Sequence, residues 1–336
     1  MPARERPARA ERAWARRRVM SIGVVAIVPF VAGACGSTLD DTAVDGSGRP
    51  TIVATTSVWA DVVANVACDG SVAVETLIPP GADPHAFEPS LADRTMLDGA
   101  ALVVANGLGL EATFEDTIGA AEATGAPVLR VGEHARPLPT AATDDDTEDD
   151  HAGDHRTTDD VRDPHVWLDP TRVADVLPVV ADNLVTEAGL DRGTVDGCVE
   201  AYRAELQRLD AEVADQIAAI PVGDRELVTN HDSLAYFADR YDFEIVGTVI
   251  PSTSTLAATS PAQLDELADR IRSSDVTAIF VETGDQADDA QALATRIGDV
   301  QIASLPTADP TVHDGYAGYL RETAAVITSA LSQSNR

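Results

Sequence analysis

The chain has 336 residues, enough for two α/β lobes and too many for one small core. Its formal net charge is −32, and all 24 of its fixed positive charges are arginine. So acidic a surface repels nucleic acid and anionic lipid headgroups; it suits attraction of cations, and equally serves solubility or adaptation to salt.

The first residues read as an export signal rather than as fold. Arg16-Arg17-Arg18 close a basic stretch, and an apolar run follows from Val19 to Ala34. That run is shorter than the roughly 20 residues a bilayer-spanning helix needs, and it stops at small residues, which predicts a secretory signal peptide over residues 1–34. Val31-Ala32-Gly33-Ala34-Cys35-Gly36-Ser37 resembles a bacterial lipobox. Cleavage before Cys35 and diacylation of its thiol would anchor the mature chain on the outer face of the cytoplasmic membrane. Without lipidation the protein would be secreted or periplasmic. The arginine run also faintly resembles a twin-arginine signal, which leaves the export route open. Setting Cys35 aside leaves Cys68 and Cys198, an even pair in an oxidising compartment, for which a disulfide is expected; the other reading is two buried thiols.

A polar tether over residues 35–50 leads into a regular rhythm. Thr51–Thr55 is predicted as a strand and Val58–Cys68 as a helix. Val72–Ile78 is the next strand, stopped by Pro79-Pro80-Gly81. A helix from Ser90, a strand over Ala101–Ala105, a helix over Glu111–Ala123 and a strand over Pro127–Val131 follow. Continuous apolar strands alternating with helices imply a parallel sheet covered on both faces. Residues 140–163 interrupt this pattern with an acidic, apolar-poor loop that carries His151 and His155. Val195, Val199, Tyr202, Leu206, Leu209, Val213 and Ile217 are then spaced by three or four, the stripe of one long amphipathic helix ended by Pro221. The rhythm restarts with strands at Glu226–Thr229, Phe243–Val249, Thr277–Val281 and Gln301–Ala303. The expected organisation is an N-terminal α/β lobe over residues 51–190, a backbone helix over 191–221 and a C-terminal α/β lobe over 222–336.

In open parallel sheets, ligands collect at the loops beyond the carboxyl ends of the strands. Those loops carry Asp83-Pro84-His85, Asp163-Pro164-His165, Asn230-His231-Asp232 and Ala308-Asp309-Pro310. Asp-Pro-His occurs twice in a chain with only 7 histidines, and the proline restricts both itself and the residue before it. Such bracing orders an imidazole before any ligand arrives, as a metal site requires. Three neutral imidazoles and a carboxylate suit Zn²⁺, whereas Mn²⁺ favours more carboxylate. Four protein ligands leave no open position for an activated water. Glu88 is either an acceptor for an imidazole N–H or a surface charge, and Glu282 either lines the cleft or sits as a charge at a helix start. Trp167 is expected to pack beneath His165.

The segments IPPGADPHAFEPS, DPHVWLDP, TNHDSLAYFADRY and TADPT, in that order, resemble the metal-binding lipoproteins of zinc and manganese ABC importers, the cluster A-I (ZnuA/TroA-like) solute-binding proteins. The resemblance runs from about Thr51 to the C-terminus. It implies two lobes joined by a rigid helix, with a metal held between them and handed to a membrane permease driven by a cytoplasmic ATPase. Carried over residue by residue, it implies His85 and His165 as the N-lobe ligands and Asp309 as the C-lobe carboxylate. The third ligand falls on His231, where manganese members usually carry Glu, so Zn²⁺ is the expected cargo and Mn²⁺ the alternative. An acidic and histidine-bearing loop before the second histidine is a habit of zinc members, which gives His151 and His155 an accessory role in capture or leaves them in a plain linker. A monomer is expected. One long connecting helix also resists wide closure, so metal binding should tilt lobes or order loops.

Two other classes deserve weighing. A secreted zinc enzyme would need a catalytic motif, and the sequence holds no HExxH, GxSxG or P-loop. His231-Asp232-Ser233 are chain neighbours and cannot converge as a triad. A surface adhesin is compatible with lipid anchoring, but no partner patch stands out.

Overall fold

The computed structural model describes residues 44–140, 161–274, 276–282, 287–306 and 308–332. Cys35, His151 and His155, with the expected leader, lie outside the described residues. In the N-terminal half β1 (Thr51–Ala54), β2 (Ala73–Thr76), β3 (Leu102–Ala105) and β4 (Val128–Arg130) form a four-stranded parallel sheet in the order β2-β1-β3-β4. Helices α1 (Ser57–Ala67), α2 (Leu91–Asp98) and α3 (Glu115–Thr124) connect them. Helices α4 (Pro170–Thr186) and α5 (Arg192–Ile217) lead to a second four-stranded parallel sheet. It comprises β5 (Glu226–His231), β6 (Glu244–Ile250), β7 (Ala278–Glu282) and β8 (Gln301–Leu305) in the order β6-β5-β7-β8. Helices α6 (Ala235–Tyr241), α7 (Pro261–Ser273) and α8 (Asp288–Ile297) alternate with these strands, and α9 (Gly315–Ser332) follows. The two sheets therefore wind alike, each reversing direction beside its first strand, the position where open sheets present a crevice.

Strand alternation divides the core. Ile52, Ala54, Leu102 and Val104 face one way, and Val53, Val103 and Ala105 the other. In the second sheet Ala278 and Phe280 share the first cluster, while Ile279 and Val281 belong to an outer cluster under α7 and α8. The central cluster runs from one sheet through α1, α4, α5 and α9 to the other. Swinging the lobes widely apart would expose that shared apolar surface, at roughly 25 cal/mol per Å².

Helix α5 buries Val195, Tyr202, Leu206, Leu209, Val213 and Ile217 as the three-and-four spacing dictates, while Val199 is half-buried and Cys198 takes a buried place. Asp191 caps the helix, its carboxylate accepting the Thr194 N–H at 2.9 Å. Cys198 is bonded to Cys68 at the end of α1, with a Cα–Cα distance of 5.9 Å. Among the described residues no helix is long and apolar enough to cross a membrane.

One predicted element differs. The helix expected over Glu111–Ala123 begins at Glu115, because Glu111 turns inward and is fully buried. Its carboxylate accepts the N–H groups of Asn106 (2.7 Å) and Gly107 (2.9 Å) and the Thr55 hydroxyl (2.7 Å). Residues 107–109 turn through positive φ to make this possible, two of the three being glycine.

Candidate metal centre

The loop after β2 runs Pro79-Pro80-Gly81 and then Asp83-Pro84-His85, with Gly81 at φ +77° supplying the turn. Asp83 Oδ1 accepts the His85 N–H at 2.8 Å, which closes the loop on itself and directs the imidazole inward, where His85 is 6% exposed.

The second Asp-Pro-His is built the same way and held more tightly. Asp163 Oδ1 accepts the His165 N–H at 2.8 Å and lies 2.8 Å from His165 Nδ1. With Asp163 Oδ1 as the acceptor Nδ1 carries the proton, so Nε2 keeps its lone pair for a cation. The surrounding backbone is also tied. Tyr236 donates its hydroxyl proton to the Asp163 carbonyl at 2.6 Å and accepts the Leu138 N–H at 3.0 Å. Asn106 Nδ2 donates to the Pro164 carbonyl at 3.0 Å, while its Oδ1 accepts the Trp59 indole N–H at 2.8 Å. Tyr316 donates to the Trp167 carbonyl at 2.6 Å, and the Trp167 ring meets His165 edge-on at 5.4 Å between centroids.

Burial raises the Asp163 carboxyl to about 7, with the His165 N–H and the nearby His231 and Arg172 opposing that shift. Asp232 is raised to about 6 by burial and by the neighbouring Asp163 charge. A cation seated here would relieve both carboxylates.

His231 ends β5 and is 3% exposed. Its Nε2 lies 3.4 Å from His165 Nε2, and His85 Nε2 lies 3.3 Å from the same atom. Neighbouring nitrogens of a tetrahedron with bonds of about 2.0–2.1 Å stand roughly 3.3–3.4 Å apart, so His85 and His231 each already stand from His165 at the separation a bound ion imposes. Among the described residues this is the group of metal-capable side chains whose ligand atoms all lie within 4.8 Å of one another. The rings open on a cavity of about 60 Å³, room for an ion and a few waters, also lined by Thr56, Ser57, Asp83, Thr255 and Glu282.

Asp309 is buried on the loop after β8, its Oδ1 accepting the Thr311 N–H at 3.0 Å and the Thr311 hydroxyl at 2.6 Å. It stands outside the close group, although its neighbour Ala308 lines the cavity and accepts the Ser57 hydroxyl at 3.2 Å. Glu282 lies on the cavity wall at the end of β7. Glu88 is exposed and away from the lining. Asn106, Glu111, Tyr236 and Thr255 were not evident from sequence; a polar residue in the loop after a strand was the available signal for Asn106.

Two sheets of one winding, each presenting buried histidine at a shared cleft, define a two-lobed binding protein for a small cation. The chain matches the family described as zinc-uptake complex component A, periplasmic, over residues 52–330. It therefore belongs to that family, the metal-binding substrate-binding proteins of ABC transporters, which work with a permease and an ATPase and are not enzymes. It is 29% identical to the manganese-binding lipoprotein MntA of Halalkalibacterium halodurans over 260 residues, covering 77% of this chain and 79% of that one. It is 28% identical to the zinc-binding protein TroA of Treponema pallidum over 302 residues, covering 87% and 92% respectively. The solved structure of the periplasmic zinc-binding TroA from Treponema pallidum superposes with a TM-score of 0.71 at 26% identity, covering 84% of this chain and 99% of that one. The relatives' names include manganese, zinc and iron.

Proposed function

We propose that this protein captures Zn²⁺ outside the cytoplasm, in preference to Mn²⁺, and delivers it to the permease of an ABC importer. The observation that carries the reading is the trio of buried imidazoles with Nε2 separations of 3.3 and 3.4 Å about His165. Three neutral nitrogens favour zinc, because manganese gains less from imidazole than from carboxylate oxygen. Asp309 completes the ligand set by presenting its carboxylate when the ion arrives. Lipid attachment through Cys35 holds a monomer at the outer face of the cytoplasmic membrane, beside its permease, and His151 and His155 assist capture.

The test is competitive metal titration of the mature protein with elemental analysis. One Zn²⁺ per chain, retained against excess Mn²⁺, is expected. Tighter retention of Mn²⁺ would overturn the zinc assignment. His231→Glu should shift the preference toward Mn²⁺, and an unchanged preference would place His231 outside the ligand set.

A further inference from the structure

Asp83 does two things at once. While its Oδ1 sets the His85 turn, its Oδ2 accepts the hydroxyl proton of Thr255 at 2.6 Å, across the cleft from the other lobe. Thr255 stands at the middle of the loop between β6 and α7, residues 251–260. That loop is fastened at both bases. Ser252 offers its carbonyl to the N–H of Asp232, next to His231, at 2.9 Å, and the Thr259 hydroxyl donates to the Val249 carbonyl at 2.7 Å. Its middle is more open, with Leu256 59% exposed, and the Thr255 hydroxyl is what it extends to the opposite lobe. Both Asp83 and Thr255 line the cavity onto which the three imidazoles open.

We propose that the Thr255–Asp83 hydrogen bond is an interlobe latch that sets how fast an ion enters and leaves the histidine cleft. This rests on the reading of that cleft as the metal site. The short hydroxyl–carboxylate bond is charge-assisted, and its two ends belong to the loops that carry or adjoin His85 and His231. In this latch an ion passes as the loop of residues 251–260 lifts away from Asp83. Since the latch touches no ligand nitrogen, it governs exchange rate and leaves the equilibrium affinity nearly untouched.

The experiment compares Thr255→Val, which removes the hydroxyl at nearly constant shape, with Thr255→Ser, which keeps it. Zinc release from the full chain into a chromophoric chelator, and uptake from buffered Zn²⁺, are followed by stopped flow. Thr255→Val should accelerate both directions by roughly three- to tenfold, equivalent to about 0.65–1.4 kcal/mol of barrier, with affinity held within twofold. Thr255→Ser should behave as the wild type. Unchanged rates in Thr255→Val, or a loss of affinity with no change in uptake, would overturn the latch while leaving the metal reading intact. Amide hydrogen exchange of the metal-free protein separates the two ideas further. If the wild type retains no ion, the functional reading falls. Faster exchange at residues 253–258 in Thr255→Val would still support the tie between lobes, and unchanged exchange there would remove it.

Discussion

The two Asp-Pro-His loops share a sequence and a turn but differ in what surrounds them. Asp163 gives one oxygen to both the backbone and the ring of His165, and the peptide around it is held by Tyr236 and Asn106 and, beyond the motif, by Tyr316. Asp83 sets the His85 backbone with one oxygen and reaches the opposite lobe with the other. Asp163 is 1% exposed, whereas Asp83 is only half-buried. One motif thus serves as a post inside the molecule and the other as a jamb at the contact between the lobes. The lesson is that Asp-Pro-His specifies a presented imidazole, while the neighbours decide whether it is anchored or gated.

The sharpest way to break this comparison is to delete the rings. His165→Ala should lower zinc affinity by at least about a thousandfold, because both short Nε2 separations run through His165. His85→Ala should cost about tenfold less than that, since His165 and His231 remain paired. Competition against a chelator of known affinity checks both, and equal losses would show that the two loops are equivalent. A smaller effect comes from the aspartates. Asp163→Asn should weaken binding roughly tenfold or more through loss of the charged partner to His165 Nδ1, in line with the usual 10–100-fold effect of such partners. Asp83→Asn, which keeps an oxygen for the His85 N–H, should stay within about threefold. Equal effects would dissolve the distinction between post and jamb.

The smallest expected effect concerns Glu111, which braces the anchored side through Asn106. Burial raises its carboxyl above the ordinary range, against the pull of its hydrogen bonds. A group raised on folding gives its full stabilising contribution below the unfolded pKa and loses it as pH rises through the folded one. The wild type should therefore lose ground to Glu111→Gln as pH climbs from the ordinary carboxylate range toward neutrality. Urea midpoints of the two proteins across that range measure the trend, and a flat difference would show that Glu111 is equally ionised in both states.

Much of this was legible in the chain itself. The alternation of short apolar runs with helices is local, and so is the stripe from Val195 to Ile217; both sheets and α5 follow from it. The three imidazoles were visible because proline bracing and strand ends are local signals too. What surrounds them was not. Asn106 meets Pro164 across 58 positions, Tyr236 meets Asp163 across 73, and Thr255 meets Asp83 across 172. Such partners become neighbours only after the sheets are wound, and no short pattern announces them. Glu111 misled for a related reason: a glutamate before an apolar stretch is a good helix former, and only the buried N–H groups of Asn106 and Gly107 turn it inward.

The bond between Cys68 and Cys198 makes the N-terminal half topologically special. It closes a ring across a sequence separation of 130, and that ring contains both Asp-Pro-His motifs. A protease that cuts once anywhere inside the ring, the acidic stretch between positions 140 and 161 included, yields two polypeptides that still travel as one molecule. On a denaturing gel such a nicked chain should run intact until a reductant is added. His85 and His165 would then survive as parts of one body even after the backbone between them is broken.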